Sequence, residues 1–296
     1  MSKQLIEQFI ARRLSGDGLV DTQVKGVQLF RVTHSVRCAP AIYEPTIVAI
    51  VRGSKEAILN GNRYAYDSGQ YLCCTMPIPV EAGTPDASPD NPLLGVTVSL
   101  NTRVMKELAI EMESTTTSPR RPASGPLPQG LVLARWDEAF SDALLRLLQL
   151  EDSPADSAIL GDGRLREVYY ALMQGDAGEP VRRAFGVGNE IARAIEYLSS
   201  HLDKTVTIED MASQAGMSRA VFHRKFKQVT TMSPVQFMKA MRLNTAAMQI
   251  ASGTNVNVAA TKVGYVSSSQ FNREFKRLYG QSPGQWRYSL QLPANG

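Results

Sequence analysis

The sequence predicts an α+β chain of two domains, an N-terminal antiparallel β barrel with attached helices and a C-terminal all-α domain containing two helix-turn-helix units. Three observations carry this expectation. Short β-rich runs follow one another from Lys25 to Leu100, at the spacing of about 10 residues that marks an antiparallel sandwich or small barrel. From Asn189 onward the apolar pattern is wholly helical. Within that part, FHRKFKQVTTMSPVQF (Phe222 to Phe237) returns as FNREFKRLYGQSPGQW (Phe271 to Trp286) at a fixed offset of 49 residues.

Composition fits two ordinary domains. A chain of 296 residues with 43% hydrophobic and 20% charged residues can bury a core and is not a disordered polymer. No apolar run approaches the ~18 residues of a membrane span, and MSKQLIEQFIARRL mixes charge with apolar residues where a signal peptide would have an apolar core. The expected location is cytoplasmic, with no membrane partner. Three cysteines, Cys38, Cys73 and Cys74, are too few for a disulfide framework or a four-ligand zinc site, so no cofactor or metal is expected. The net charge of +4 is unevenly spread: from Glu190 onward there are 13 Lys/Arg against 6 Asp/Glu. That imbalance points to a polyanionic partner for the last third only.

In chain order, residues 1–18 read as an N-terminal helix and residues 19–130 as the β domain. KGVQLFRVTH, EPTIVAIVRG, EAILNGNRYAY, GQYLCCTMPIPVEA and LLGVTVSL are its strands, and Asn60-Gly61 suits a type I′ hairpin, whose two central residues need positive φ. RVMKELAIEMES reads as a closing helix, and Ser114 to Gly130, with four prolines, as a loop or linker. Residues 131–186 carry apolar residues at three- and four-residue spacing and read as a helical connector or dimerising layer. Residues 187–296 form the repeated helical domain, with helix-turn-helix units at about 205–229 and 255–279, the extent expected of such motifs.

Each unit is a short helix, a glycine turn (Gly216, Gly264), a second helix, and a Ser-Pro opening a further helix. Ser218 stands where it can cap the first unit's second helix, and Ser267 to Gln270 matches a capping box in the second. At about 100° per residue, Phe222 and Phe226 form one stripe with Val221 and Val229 alongside. Ala220, Arg224 and Lys227 fall opposite, flanked by Arg219 and His223. In the second copy Phe271, Phe275 and Leu278 are the stripe; Ser269, Arg273 and Lys276 lie opposite, with Ser268 and Asn272 nearby. The kept aromatics therefore belong to the core and the kept cations to an outer face. Such a face is either an ordinary solvated helix surface or a DNA-reading one, in which Arg pairs with guanine and Asn with adenine. Lys227, Lys276 and Arg277 suit phosphates. Repetition of the whole unit in a basic segment favours the second reading.

MASQAGMSRAVFHRKFKQVTTMSPVQF followed by AATKVGYVSSSQFNREFKRLYGQSPGQW resembles the C-terminal DNA-binding domain of the AraC/XylS family of transcriptional regulators, over Asn189 to Leu292. The resemblance implies that the long helix SPVQFMKAMRLNTAAMQIA joins the two units, so that both recognition helices enter adjacent major-groove segments on one DNA face. It carries base contacts over to Ala220, His223 and Arg224 and to Ser268, Ser269, Asn272 and Arg273. Ala220 departs from relatives that have a larger side chain there. The stretch EPTIVAIVRGSKEAILNGNRYAYDSGQYLCCTMPIPVEA is similar to the cupin-like effector domain of one AraC subgroup, whose members regulate aldehyde-reductase genes. The implied partners are double-stranded promoter DNA, a small-molecule effector, a second copy of the chain and, for an activator, RNA polymerase.

Enzymatic cupins hold a metal with several histidines, whereas this chain has His34, His201 and His223, of which His34 alone falls in the barrel region. No nucleophile or phosphate-loop motif is present. The expectation is a regulator and not an enzyme; the alternatives are a ligand-independent regulator and a cupin enzyme fused to a DNA-binding domain. Cys73, Cys74, His34 and Tyr64 are the candidate effector contacts. Strand alternation places one thiol of Cys73-Cys74 inward and the other outward. The pair either fills the strand as small apolar residues or contains a sensing thiol.

Overall fold

The computed structural model describes residues 2–115, 130–186 and 189–289. All but the ends of the expected linker Ser114 to Gly130 lies outside those residues. The chain divides into two compact units: Met1–Ala39, Tyr43–Met76 and Ala82–Asn189 form the first, and Glu190–Gly296 with Pro40–Ile42 and Pro77–Glu81 the second. No helix among the described residues is long and apolar enough to cross a membrane.

The β strands form two antiparallel sheets. One has the order β1 (Gly18–Asp21), β2 (Val27–Val32), β9 (Leu93–Ser99), β4 (Thr46–Arg52), β7 (Gln70–Cys74), β10 (Leu131–Arg135). The other has the order β3 (Val36–Tyr43), β8 (Ile78–Thr84), β5 (Ser54–Leu59), β6 (Asn62–Asp67). Strand β4, TIVAIVR, is buried at five consecutive positions, as a strand covered on both faces must be. Ile47, Ala49 and Val51 share a core with the helices, and Val48 and Ile50 are buried on the opposite face. Asn60 (φ 49°) and Gly61 (φ 80°) turn β5 into β6, the two positive φ values that the Asn-Gly pair implied.

Helices α1 (Ser2–Arg13), α2 (Thr102–Thr115), α3 (Glu138–Gln149), α4 (Pro154–Gln174) and α5 (Gly178–Phe185) complete this unit. The segment 131–186, expected as a connector, lies within the unit and shares its core. Its first residues form a strand that the sequence reading missed: β10 pairs with β7 in the register Leu131↔Cys74 to Arg135↔Gln70. Five residues beside a proline-rich stretch give too little alternation to read. Asp137 then caps α3, its Oδ1 accepting from the Phe140 amide at 2.7 Å, and the Phe140 ring meets Tyr71 at 4.7 Å. Leu144, Leu147 and Leu148 continue the stripe against Val168, Leu172 and Met173 of α4.

From Glu190 onward the described residues of the second unit form helices: α6 (Glu190–Ser199), α7 (Ile208–Gln214), α8 (Arg219–Thr230), α9 (Pro234–Ala251), α10 (Val256–Lys262), α11 (Ser268–Tyr279) and α12 (Pro283–Ser289). Its starts are written in side-chain caps. Thr207 with Asp210 and Ser233 with Gln236 form complete capping boxes, and Ser282 with Gln285 makes the same reciprocal bonds before α12. The recurring Ser-Pro-x-Gln is thus a helix-start device, with proline at the first helical position, where its missing N–H costs nothing.

Phe140→Ala should remove a fully buried ring linking α3 to the sheet and cost about 3–5 kcal/mol. Equilibrium denaturation of the full chain reads it. A loss below about 1 kcal/mol would mean that α3 is not part of the first unit's core.

Candidate nucleic-acid interface and ligand cavity

Helices α8 and α11 are built on the same plan. Phe222 and Phe226 are fully buried, their ring centroids 5.2 Å apart, and Phe226 meets Phe237 edge-on at 5.2 Å. Phe271 and Phe275 are equally buried at 5.4 Å, with Tyr265, Tyr279 and Trp286 packed around them. Against these cores, Arg219, Ala220, His223, Arg224 and Lys227 are all exposed, as are Ser268, Ser269, Asn272, Arg273, Lys276 and Arg277. Each helix thus presents a row of largely polar and cationic side chains to solvent. Arg219 is engaged within the protein, 2.7 Å from Glu209.

Local details differ from the sequence expectation. Ser218 occupies the N-cap position of α8, but its side chain makes no cap hydrogen bond. Ser267 does cap α11, accepting from the Gln270 amide at 3.2 Å, while the Gln270 side chain donates to Glu274 and not back to the cap. Half of that expected box is formed. Leu278 is 49% exposed and leaves the stripe; Tyr279 takes its place, 4.6 Å from Phe275. An aromatic ring one residue further on reaches the Trp286 side of the core, and the leucine is turned out.

The two copies are not identical. Glycines with positive φ, Gly216 (63°) and Gly264 (81°), make both turns. The second turn is one residue longer and carries Val266, which is fully exposed. At the α11 position matching Lys225 of α8, Glu274 gathers three donors: Tyr265 Oη at 2.8 Å, Lys239 Nζ of α9 at 3.2 Å and Gln270 Nε2 at 3.3 Å. Burial opposes the charge of Glu274, but these donors outweigh it and hold the carboxyl below its usual range. The network ties α11 to its turn and to α9. At the helix ends, Gly280 (φ 75°) caps α11 and Thr231 (φ 62°) caps α8, both left-handed.

In the first unit a cavity of about 440 Å³ opens among β1, β2 and the strands around them. Its wall includes Leu19, Phe30, Val32, Val48 and Leu93, together with the ionisable Asp17, Arg31, His34 and Lys55 and the phenol of Tyr43. Of the candidate effector residues, His34 lies in this wall; Cys73, Cys74 and Tyr64 are not among the residues lining it. Asp17 Oδ2 accepts from the Thr33 amide (2.9 Å), from Thr33 Oγ1 (2.9 Å) and pairs with His34 Nδ1 (2.8 Å). The Thr33 amide lowers the Asp17 pKa most; burial opposes it, and the side-chain bonds from Thr33 and His34 keep the balance on the low side.

Strand alternation does separate the two thiols, yet neither reaches solvent. Cys73 lies in the core beneath the helices, because the outer face of the sheet is itself covered, and Cys74 donates to the Met76 carbonyl at 3.0 Å. Burial pushes the Cys73 thiol up to about 12, and burial likewise raises Cys74. Both stay protonated at neutral pH and are poor nucleophiles. Sequence reading passed over Arg31, Tyr43 and Lys55, because a lone cation in a short alternating strand reads as a solvent-facing residue. Only the pairing of strands turns them toward one space. Among the described residues no three or more His, Cys, Asp or Glu side chains gather closely enough to hold a metal ion.

Paired helix-turn-helix units that follow a cavity-bearing β unit are the layout of a two-domain transcriptional regulator. The chain belongs to the AraC-type transcriptional regulators: the family model for their N-terminus matches residues 23–180, and one for a helix-turn-helix domain matches residues 211–289. It is similar to the regulator AlkR of Acinetobacter baylyi, 32% identical over 99 residues, covering 33% of this chain and 32% of AlkR. The raffinose operon regulator RafR of Pediococcus pentosaceus is 26% identical over 150 residues, covering 50% of this chain and 54% of RafR. The activator RclR of Escherichia coli is 40% identical over 82 residues, covering 27% of this chain and 29% of RclR. The chain thus spans about a third to a half of the length of these relatives. ToxT of Vibrio cholerae, solved with an unsaturated fatty acid, superposes with a TM-score of 0.57 at 11% identity, covering 91% of this chain and 97% of that one. At that identity the likeness is one of fold.

Two expectations follow. Thr231→Gly should stabilise the second unit by about 1 kcal/mol, because a β-branched residue in the left-handed region carries strain that the glycine at 280 avoids; unchanged or lowered stability on denaturation would remove the strain. A thiol titration of the native chain should modify Cys73 and Cys74 only after unfolding, and rapid native labelling of either would contradict their burial.

Proposed function

We propose that the chain is a sequence-specific DNA-binding regulator of transcription, acting in the cytoplasm, in which α8 and α11 read adjacent major-groove segments and the β-unit cavity takes a small-molecule effector. The observation that carries the DNA reading is the duplicated face. At equivalent positions 49 residues apart, a buried Phe-Phe pair backs an exposed Arg and Lys (Arg224 and Lys227, Arg273 and Lys276). Base reading falls to Ala220, His223 and Arg224 in the first unit and to Ser268, Ser269, Asn272 and Arg273 in the second. Arg219, Lys227, Lys276 and Arg277 hold phosphates. The positions that differ between copies, His223 against Asn272 and Ala220 against Ser269, let each helix prefer its own bases.

The effector reading rests on the largely apolar cavity that opens among the strands, of a size suited to small ligands. ToxT was solved with an unsaturated fatty acid, which is a precedent for a ligand on this fold; the chemistry of any ligand here has to come from this chain's own side chains. A homodimer belongs to the same proposal, and light scattering of the full chain reads it, a monomer at working concentration excluding it. Contact with RNA polymerase would follow for an activator.

Arg224→Ala and Arg273→Ala should each weaken binding to a selected operator by about 1–3 kcal/mol and relax base preference at one segment each. Lys227→Ala should weaken operator and random DNA alike and lower the salt slope by about 1. Gel-shift titrations at several salt concentrations read both. Unchanged affinity and preference in both arginine variants would overturn the assigned faces.

A further inference from the structure

The cavity of the first unit carries a charge imbalance. Among its lining residues Arg31 and Lys55 are cations and Asp17 is the carboxylate, so these three side chains leave one positive charge over. Asp17 Oδ2 is taken up by Thr33 and His34. No carboxylate among the described residues forms an ion pair with Lys55. Its Nζ stands 6.0 Å from the centroid of Phe30, a weak substitute for a counter-ion.

One further polar group of the wall is unspent. Arg31 donates through Nη1 to the Leu14 carbonyl at 3.3 Å, but its Nε is buried with no hydrogen-bond partner, whereas the Tyr43 hydroxyl pairs with that of Tyr66. Burial lowers the pKa of Lys55, only partly offset by Cys38, which expresses the cost of holding an ammonium among apolar groups. A ligand that brings a negative charge would relieve that cost, whereas a neutral ligand of the same shape would deepen it by excluding water. The remaining wall of Leu, Val and Phe side chains suits an apolar body.

We infer that the cavity takes an apolar molecule carrying one acid group, with Lys55 as its counter-ion and Arg31 as a further donor. This rests on the effector reading above and adds to it the chemical class of the ligand. A single charge is specified because the wall has a surplus of one. The charge-assisted bond to Lys55 sets the acid apart from the corresponding alcohol.

Calorimetric titration of the full chain at neutral pH with decanoate and with decanol tests it. Decanoate should bind at least tenfold more tightly than decanol. In Lys55→Met, which keeps the length and apolar stem of the side chain, decanoate affinity should fall to that of decanol while decanol affinity changes less than threefold. Equal binding of acid and alcohol to the unaltered chain, or an undiminished preference for the acid in Lys55→Met, overturns the charge assignment and leaves the effector cavity standing. Binding of neither probe overturns both. The comparison on the unaltered chain decides the matter even where the variant fails to fold.

Discussion

Two pairs of phenylalanines spaced four residues apart, Phe222 with Phe226 and Phe271 with Phe275, decide what the rest of the C-terminal unit can do. Burying both rings of a pair fixes the rotation of its helix about its own axis. Two and five residues after the first ring, at about 200° and 140° around the helix, the side chains are forced outward, and those positions hold Arg224 and Lys227 in one copy and Arg273 and Lys276 in the other. The exposed row is therefore a consequence of the core. A substitution that loosened the phenylalanine pair would disperse the cations as well as destabilise the helix.

The same economy is visible at the helix starts. Ser-Pro-x-Gln, kept in both copies, closes reciprocal hydrogen bonds before α9 and α12, so the segment after each outward-facing helix begins at a set residue. Where the copies diverge, they diverge around the turn. The second has an extra turn residue and a carboxylate, Glu274, that ties the helix to Tyr265 and Lys239; the first has Lys225 at that position and a strained threonine cap. Two copies of one architecture are thus anchored by different contacts.

Much of this was legible in the sequence, and the reasons for the exceptions are physical. Asn60-Gly61, the glycine turns and the buried phenylalanines could be read because each rests on local conformation or on one helical period. Strand β10 could not, since five residues gain their place only by pairing with β7. Alternation put one thiol of Cys73-Cys74 on each face but left open whether helices cover the outer one, because it says which face a residue takes and not what lies over that face; Cys73 proves to be the covered one. Lys55 escaped for the converse reason: a cation in a strand reads as solvent-facing until a second sheet is folded against it. Leu278 shows the limit of angular reading, because Tyr279 wins the same core by reaching further.

On the reading proposed above, the duplication serves to read DNA at two places. Hydroxyl-radical and guanine-methylation footprinting of the full chain on a selected operator measures this most directly. Two windows of major-groove protection are expected on one face of the duplex, about one helical turn or 10 base pairs apart, with one window lost in Arg224→Ala and the other in Arg273→Ala. A single window, or the same pattern in both variants, would contradict it.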